Sequence, residues 1–225
     1  MAAKTPRAKK KRILIVDDHP VVRRGFASLI NLEPDLEVCG GAEDAQSALE
    51  AVKTLTPDLL IVDIFLKDSS GLDLIKALHK RGGIPILVVS MHDETLYADR
   101  VLRAGAMGYV MKREAERTIV TAIRRVLEKK TYLSERMAER LVQGYSGQKL
   151  EAPTLEEALS DRELQIFEML GHGHGIRKIA EELNISLKTV DAHRSRIKEK
   201  LNVQTSTEVL QRAVQWVQQG NRGAS

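Results

Sequence analysis

The sequence predicts two unlike domains. The first is an α/β domain, a parallel sheet covered on both faces by helices, and the second is a smaller all-α domain of four helices. Three observations predict this. Strand-like runs alternate with segments of helical period five times between Ile13 and Glu128. Leu59-Leu60-Ile61-Val62 is apolar throughout, as strands buried on both faces are. After Lys130 the strand pattern stops and the apolar residues recur at helical spacing.

The elements follow in order. Ile13-Leu14-Ile15-Val16 is a strand ending in Asp17-Asp18. His19-Pro20 opens an amphipathic helix with Val21, Val22, Phe26, Leu29 and Ile30, and proline suits its first turn. Leu36 to Gly40 is a short strand, and Ala45 to Leu55 a helix burying Ala48, Leu49 and Val52. Leu59 to Val62 runs into Asp63, and the Asp68-Ser69-Ser70-Gly71 stretch reads as a turn. Leu72 to Leu78 is a helix, Ile84 to Ser90 a strand, and Glu94 to Arg103 a helix. Gly108 to Lys112 is a strand ending in lysine, and Glu114 to Glu128 a helix carrying Ile119, Ile123 and Val126. Ser134 to Val142 is a further helix, and the glycine-rich polar stretch after it, with Pro153, marks a linker. Ser160-Asp161-Arg162-Glu163 is a capping box that starts the helical domain. Ile176 to Leu183, a turn at Asn184-Ile185, and a helix from the Ser186 cap to Leu201 match a helix-turn-helix. A fourth helix starts at Ser206 or Thr207.

Composition narrows the function classes. Of 225 residues, 43% are apolar and 29% charged, ordinary for a soluble protein with a core that needs no staples. One cysteine, Cys39, cannot form an internal disulfide, which fits a reduced cytosol. No apolar run approaches the ~20 residues that span a bilayer, and no signal-peptide pattern opens the chain. The expectation is therefore a cytoplasmic protein with no membrane partner. The net charge of +4 hides an asymmetry, because the first twelve residues carry +6 and the remainder −2. Residues 1–11 read as a disordered basic tail, with a nucleic-acid contact as the alternative.

The chemistry lies at the strand ends. Right-handed crossovers bring the ends of parallel strands to one edge, where open α/β sheets collect their ligands. Those ends supply Asp17 and Asp18, Asp63, Ser90 and Lys112. Each alone is more often a turn or surface residue. Together they form a site for a phosphoryl group. Crowded carboxylates stay ionised only when cations compensate them, and their oxygens suit Mg2+, which often bridges to phosphate. Lysine offers a point charge to a phosphate oxygen, serine a hydroxyl, and a carboxylate can accept the group covalently.

Residues 12–130 resemble the receiver domain of bacterial two-component response regulators. The resemblance rests on Asp17-Asp18, Asp63, Gly71, Ser90, and Tyr109 three residues before Lys112. It implies a flavodoxin-like (βα)5 fold and a phosphate accepted on Asp63 from a sensor histidine kinase. It implies magnesium bound by Asp17 or Asp18, Asp63 and the backbone carbonyl of Phe65. It also implies that Ser90 and Tyr109 move on phosphorylation while Lys112 contacts the phosphoryl group. Lys67 and Arg113 depart from the pattern, standing where many receivers carry proline. The first leaves the loop after Asp63 less defined, and the second removes a cis-proline but keeps the lysine.

Residues 155–219 resemble the LuxR-type helix-turn-helix, through Leu159 to Glu163, Ile179 to Ser186, and Thr189-Val190 with His193, Ile197, Lys200 and Leu201. Residues 131–154 are then a helix plus a flexible linker. Receiver plus this motif is the NarL/FixJ architecture. On the third helix Val190, Ile197 and Leu201 share one side, and Lys188, Ala192, Ser195 and Glu199 lie opposite, flanked by Thr189, Asp191 and Arg196. That outer face is the one a recognition helix lays into the major groove of double-stranded DNA. A solvated charged face is the plainer alternative. Lys188 and Arg196 suit hydrogen bonds, and Thr189, His193 and Lys200 suit phosphates. Asp191 can accept from cytosine or exclude other sites. Gly175-Ile176 replaces the usual Ser-Asn, so the second helix loses its side-chain cap. His172 and His174 lack further ligands nearby and read as a glycine-rich loop.

The expected function is a DNA-binding transcription regulator, not an enzyme, that forms a homodimer when Asp63 is phosphorylated. The alternative is a phosphorylation-independent DNA-binding regulator controlled by dimerisation or a partner. A phosphatase with Asp63 as nucleophile commonly needs an acid two residues on, where Phe65 stands.

Overall fold

A computed structural model describes residues 9–66, 69–145 and 158–222. The chain divides into two compact units, Met1–Gly147 and Gln148–Ser225. The first runs β1 (Lys11–Val16), α1 (Pro20–Asn31), β2 (Leu36–Ala42), α2 (Ala45–Leu55), β3 (Leu59–Val62), β4 (Phe65–Leu66) and β5 (Ser69–Ser70). It continues with α3 (Gly71–Lys80), β6 (Ile86–Ser90), α4 (Glu94–Ala104), β7 (Gly108–Met111), α5 (Lys112–Leu127) and α6 (Glu135–Tyr145).

Five strands form a parallel sheet in the order β2-β1-β3-β6-β7. This is the flavodoxin-like order, which reverses direction between β1 and β3 and opens a crevice there at the carboxyl ends. The register pairs Val16 with Val62 and Val62 with Val88. The Asp63 N–H donates to the Val16 carbonyl at 2.9 Å, so Asp17 and Asp63 begin side by side. One sheet face packs Ile13, Ile15, Leu59 and Ile61 against Phe26 and Ile30 of α1 and Ile119 and Ile123 of α5. Leu14, Leu60 and Val62 alternate to the other face and are as fully buried. Both faces are covered, which is why β3 contains no polar residue.

Several expected boundaries shift, for local reasons. The strand expected from Ile84 begins at Ile86. Pro85 has no N–H for a ladder and contributes only its carbonyl, to Leu60 N at 3.0 Å. Ser69–Ser70 pairs antiparallel with Phe65–Leu66 where a turn was expected, and Lys67 and Asp68 lie outside the described residues. β7 ends at Met111, and Lys112 is the first residue of α5, not the last of a strand. With arginine at 113 the strand passes into the helix without a loop. In α1, Phe26 and Ile30 face the core while Val21 stays 71% exposed. In α2 only Ala48 is fully buried.

The helix expected at 134–142 is α6, and it belongs to the first unit. Ser134 caps it, its Oγ accepting the Met137 N–H at 3.1 Å, and Met137 is buried. Of the basic tail, Lys10 donates to the carbonyls of Glu33 and Leu36, and Lys11 opens β1. Residues 1–8 and the linker stretch 146–157 lie outside the described residues.

The second unit contains α7 (Asp161–Gly171), α8 (Ile176–Glu182), α9 (Leu187–Lys200) and α10 (Ser206–Arg222). The capping box forms as expected, with Ser160 Oγ accepting from Glu163 N and Glu163 accepting from Ser160 N. Gly175 stands at the N-cap of α8 and gives it no side-chain cap. Asn184, in the turn between α8 and α9, has φ +50°, a left-handed conformation that asparagine tolerates. Leu164 and Phe167 of α7, Ile179 of α8, Val190 and Ile197 of α9, and Ala213 of α10 are fully buried.

Candidate functional site

The strand ends meet as the sequence predicts. Asp17, Asp63 and Ser90 are buried at the sheet edge. Lys112 Nζ lies 2.6 Å from Asp17 Oδ2 and 2.6 Å from Asp63 Oδ2, so one ammonium bridges two carboxylates. Its place in the first turn of α5 explains the reach, because helical side chains lean toward the N-terminus. Gly71 completes the wall. A Cβ there would collide with the Asp63 and Ile64 backbone, so only glycine lets α3 start this close to Asp63.

The electrostatics follow from burial. Desolvation pushes the Asp63 carboxyl above its ordinary value, and the Asp17 charge adds to this, while Lys112 and a Ser90 hydrogen bond oppose it. Desolvation would lower the Lys112 pKa, but Asp63 and Asp17 outweigh it and the ammonium is held above its ordinary range. Two carboxylates against one ammonium leave an excess negative charge, which Asp18 increases. Asp18 Oδ1 is buried without a hydrogen bond, and His19 Nδ1 stands 2.6 Å from it. The His19 N–H donates to Asp17 Oδ1 at 2.8 Å, which orients that carboxylate. Asp17, Asp18 and His19 offer ligand atoms within 4.8 Å of one another. Excess charge and clustered carboxylate donors fit a hard divalent cation.

Beside this pocket, Tyr109 is fully buried, and its hydroxyl donates to the His92 carbonyl at 2.9 Å. The His92 ring stacks edgewise on Phe65 and Tyr97, with centroids 4.4 and 5.3 Å away. The segment after Ser90 is thus tied to Tyr109 on one side and to Phe65, two residues beyond Asp63, on the other.

In the second unit the outer face of α9 is as the wheel predicts. Lys188, Asp191, Ala192, Ser195 and Arg196 are exposed, and Thr189 and His193 are half-buried. Some of these groups already have partners. Asp191 Oδ1 takes a 3.0 Å bond from Arg194. Lys200 Nζ lies 2.7 Å from Glu163 Oε2, so its charge is shared with the cap of α7. Burial, then the Arg196 charge, pushes the His193 pKa below its ordinary value and favours the neutral ring.

Sequence reasoning missed three groups. Arg162 donates to the Leu183 carbonyl at 2.8 Å and so braces the turn of the helix-turn-helix. Glu163 was legible as a cap but not as the partner of Lys200, 37 residues away. Glu94 is buried and accepts the Ser134 N–H at 2.9 Å. Its sequence position suggests only an acid favouring a helix N-terminus.

No described helix is long and apolar enough to cross a membrane. Comparison with known proteins agrees with both units. The response regulator receiver domain matches residues 13–124, and the luxR family of bacterial regulatory proteins matches residues 157–213. The chain is 34% identical over 209 residues to the oxygen regulatory protein NreC of Staphylococcus carnosus, covering 90% of this chain and 96% of that protein. A LuxR-family two-component response regulator from Aurantimonas is 31% identical with a TM-score of 0.57, covering 62% of this chain and 100% of that one. The RcsB response regulator of Salmonella typhimurium is 25% identical with a TM-score of 0.54, covering 90% and 97%. The chain belongs to the NarL/FixJ family of two-component response regulators, which join a receiver domain to a LuxR-type DNA-binding domain.

Proposed function

We propose that Asp63 is the phosphoacceptor of this regulator and that its phosphorylation by a sensor histidine kinase controls DNA binding by α9. The observation that carries the reading is the Lys112 ammonium held 2.6 Å from both Asp17 and Asp63 at the sheet's switch point. In the transfer, an Asp63 carboxylate oxygen attacks phosphorus, the O–P bond forms, and the P–N bond to the kinase imidazole breaks. Lys112 then pairs with a phosphoryl oxygen and the Ser90 hydroxyl donates to another. Tyr109 follows the segment after Ser90 through its bond to His92.

Asp17 or Asp18, Asp63 and the Phe65 carbonyl would hold magnesium. When bound, it supplies charge neutralisation to the phosphoryl oxygens. The clustering of the Asp17 and Asp18 ligand atoms within 4.8 Å supports this assignment.

On DNA, Lys188, Asp191, Ala192, Ser195 and Arg196 face the bases, while Thr189, His193 and Lys200 position α9 against phosphates. The exposure of this face supports the reading, and the Glu163 bond limits Lys200 to a shared contact. The protein acts in the cytoplasm, forms a homodimer on activation, and turns over no outside substrate beyond slow loss of its own phosphate. Residues 12–130 are the receiver, 131–154 a helix and linker, 155–219 the DNA-binding domain, and 1–11 a basic tail.

Incubation with acetyl phosphate and magnesium tests this. Intact-mass spectrometry should show one added phosphoryl group, absent from Asp63→Asn, together with a shift to dimer. An unchanged oligomeric state in the phosphorylated protein would favour the phosphorylation-independent alternative.

A further inference from the structure

We propose that Thr131–Ser134 is a strap coupling the phosphate site to α6, and that Glu94 is the positioning residue fastening it; this rests on Asp63 being the phosphoacceptor. The strap lies along the outer side of β7. The Tyr109 N–H donates to the Tyr132 carbonyl at 2.9 Å, and the Tyr132 N–H donates to the Met107 carbonyl at 3.0 Å. Gly108 and Tyr132 form a parallel bridge. A Cβ on Gly108 would come within 2.8 Å of the Tyr132 oxygen, so the glycine permits this approach. Two residues on, the Ser134 N–H donates to Glu94 Oε1 at 2.9 Å, and Ser134 itself caps α6.

Arg125 Nε also donates to the Thr131 carbonyl at 2.9 Å, so the strap is held at several points, and two of them belong to the switch. One is the backbone of Tyr109. The other is the first residue of α4, four residues beyond Ser90. The segment between Ser90 and Glu94 contains His92, whose carbonyl receives the Tyr109 hydroxyl. A Ser90 hydroxyl drawn onto a phosphoryl group pulls this segment, and Glu94 moves with it. Glu94 is buried, so a displaced carboxylate has little water to replace Ser134. The Ser134 bond lengthens, and the first turn of α6 loosens.

Hydrogen–deuterium exchange on the full-length protein tests the coupling, with and without beryllium fluoride and magnesium, in wild type, Glu94→Ala and Glu94→Gln. Fluorine NMR reports loading of Asp63 independently. In wild type, loading should speed exchange at Tyr132, Ser134 and the first turn of α6 by about tenfold. Glu94→Ala should exchange fast there before loading and change no further, while its Asp63 loads normally. Glu94→Gln keeps the acceptor oxygen and should behave as wild type. Normal loading with an unchanged strap in wild type would overturn the coupling, and this arm needs no variant. Wild-type protection in Glu94→Ala would overturn the role of Glu94. Failure of Asp63 to load would overturn the phosphoacceptor reading, and the coupling with it.

Discussion

Glu163 in the first turn of α7 holds Lys200 at the end of α9, with 2.7 Å between Oε2 and Nζ. The same carboxylate accepts the Ser160 N–H at 2.8 Å. One buried acid therefore caps a core helix and anchors the far end of the proposed recognition helix. Glu163→Ala removes both bonds and should cost about 1–3 kcal/mol of stability in the DNA-binding unit. Chemical denaturation followed by Trp216 fluorescence would measure it, because Trp216 packs against Phe167 of α7 at 5.7 Å.

The same residue sets a pH dependence. Burial alone would raise the Glu163 pKa, but Lys200 and Ser160 outweigh it and hold the carboxyl below the ordinary value of 4.5. A depressed folded-state pKa gives stability that is present above 4.5 and lost as pH falls through the lower value. Trp216-reported stability should fall through that window in wild type. In Glu163→Gln the Glu163-dependent part of that fall should be missing.

Gly71→Ala places a methyl group against the Asp63 carbonyl and the Ile64 backbone, neither of which can rotate away. The start of α3 must shift, at about 2–3 kcal/mol. Thermal melting would show the loss. The rate of labelling by acetyl phosphate should also fall, because the displaced backbone carries the acceptor.

Asp63→Asn should be more stable than wild type in chelator, by a few degrees in melting temperature. It removes one of two buried carboxylates that share a single ammonium, while Lys112 keeps Asp17 at 2.6 Å. Added magnesium should narrow the difference by stabilising wild type alone. Equal melting temperatures in chelator would mean that the site carries no uncompensated charge.

Arg196→Ala should weaken specific DNA binding by roughly 1–3 kcal/mol if the side chain reads a base edge. Fluorescence anisotropy on a bound operator would measure it. A loss equal on specific and unrelated DNA would reassign Arg196 to phosphate contact.

The centre of the sheet was legible because β1, β3 and β6 carry unbroken aliphatic runs that end at Asp17, Asp63 and Ser90. Asp17, Asp63 and Ser90 could be assigned to one edge from the sequence, since parallel strands share that edge. Lys112 lies beside Asp17 and Asp63 but opens α5, where a strand end was expected, because Gly108 to Lys112 reads as a strand and Met111 makes no side-chain cap that would mark the helix start. The Ser69–Ser70 ribbon was read as a turn because two-residue strands carry no period. Glu94 and the strap were invisible, since a hydrogen bond spanning 40 residues leaves no local pattern. The partner of Lys200 was hidden for the same reason.

Phosphate on Asp63 is proposed to govern where this protein sits on DNA. Genome-wide mapping of bound sites in cells carrying wild type or Asp63→Asn tests it most directly. Occupancy at the strongest sites should fall about tenfold or more in Asp63→Asn, as expected when activation assembles two DNA-binding units on paired half-sites. The same sites bound to the same extent in both strains would contradict it.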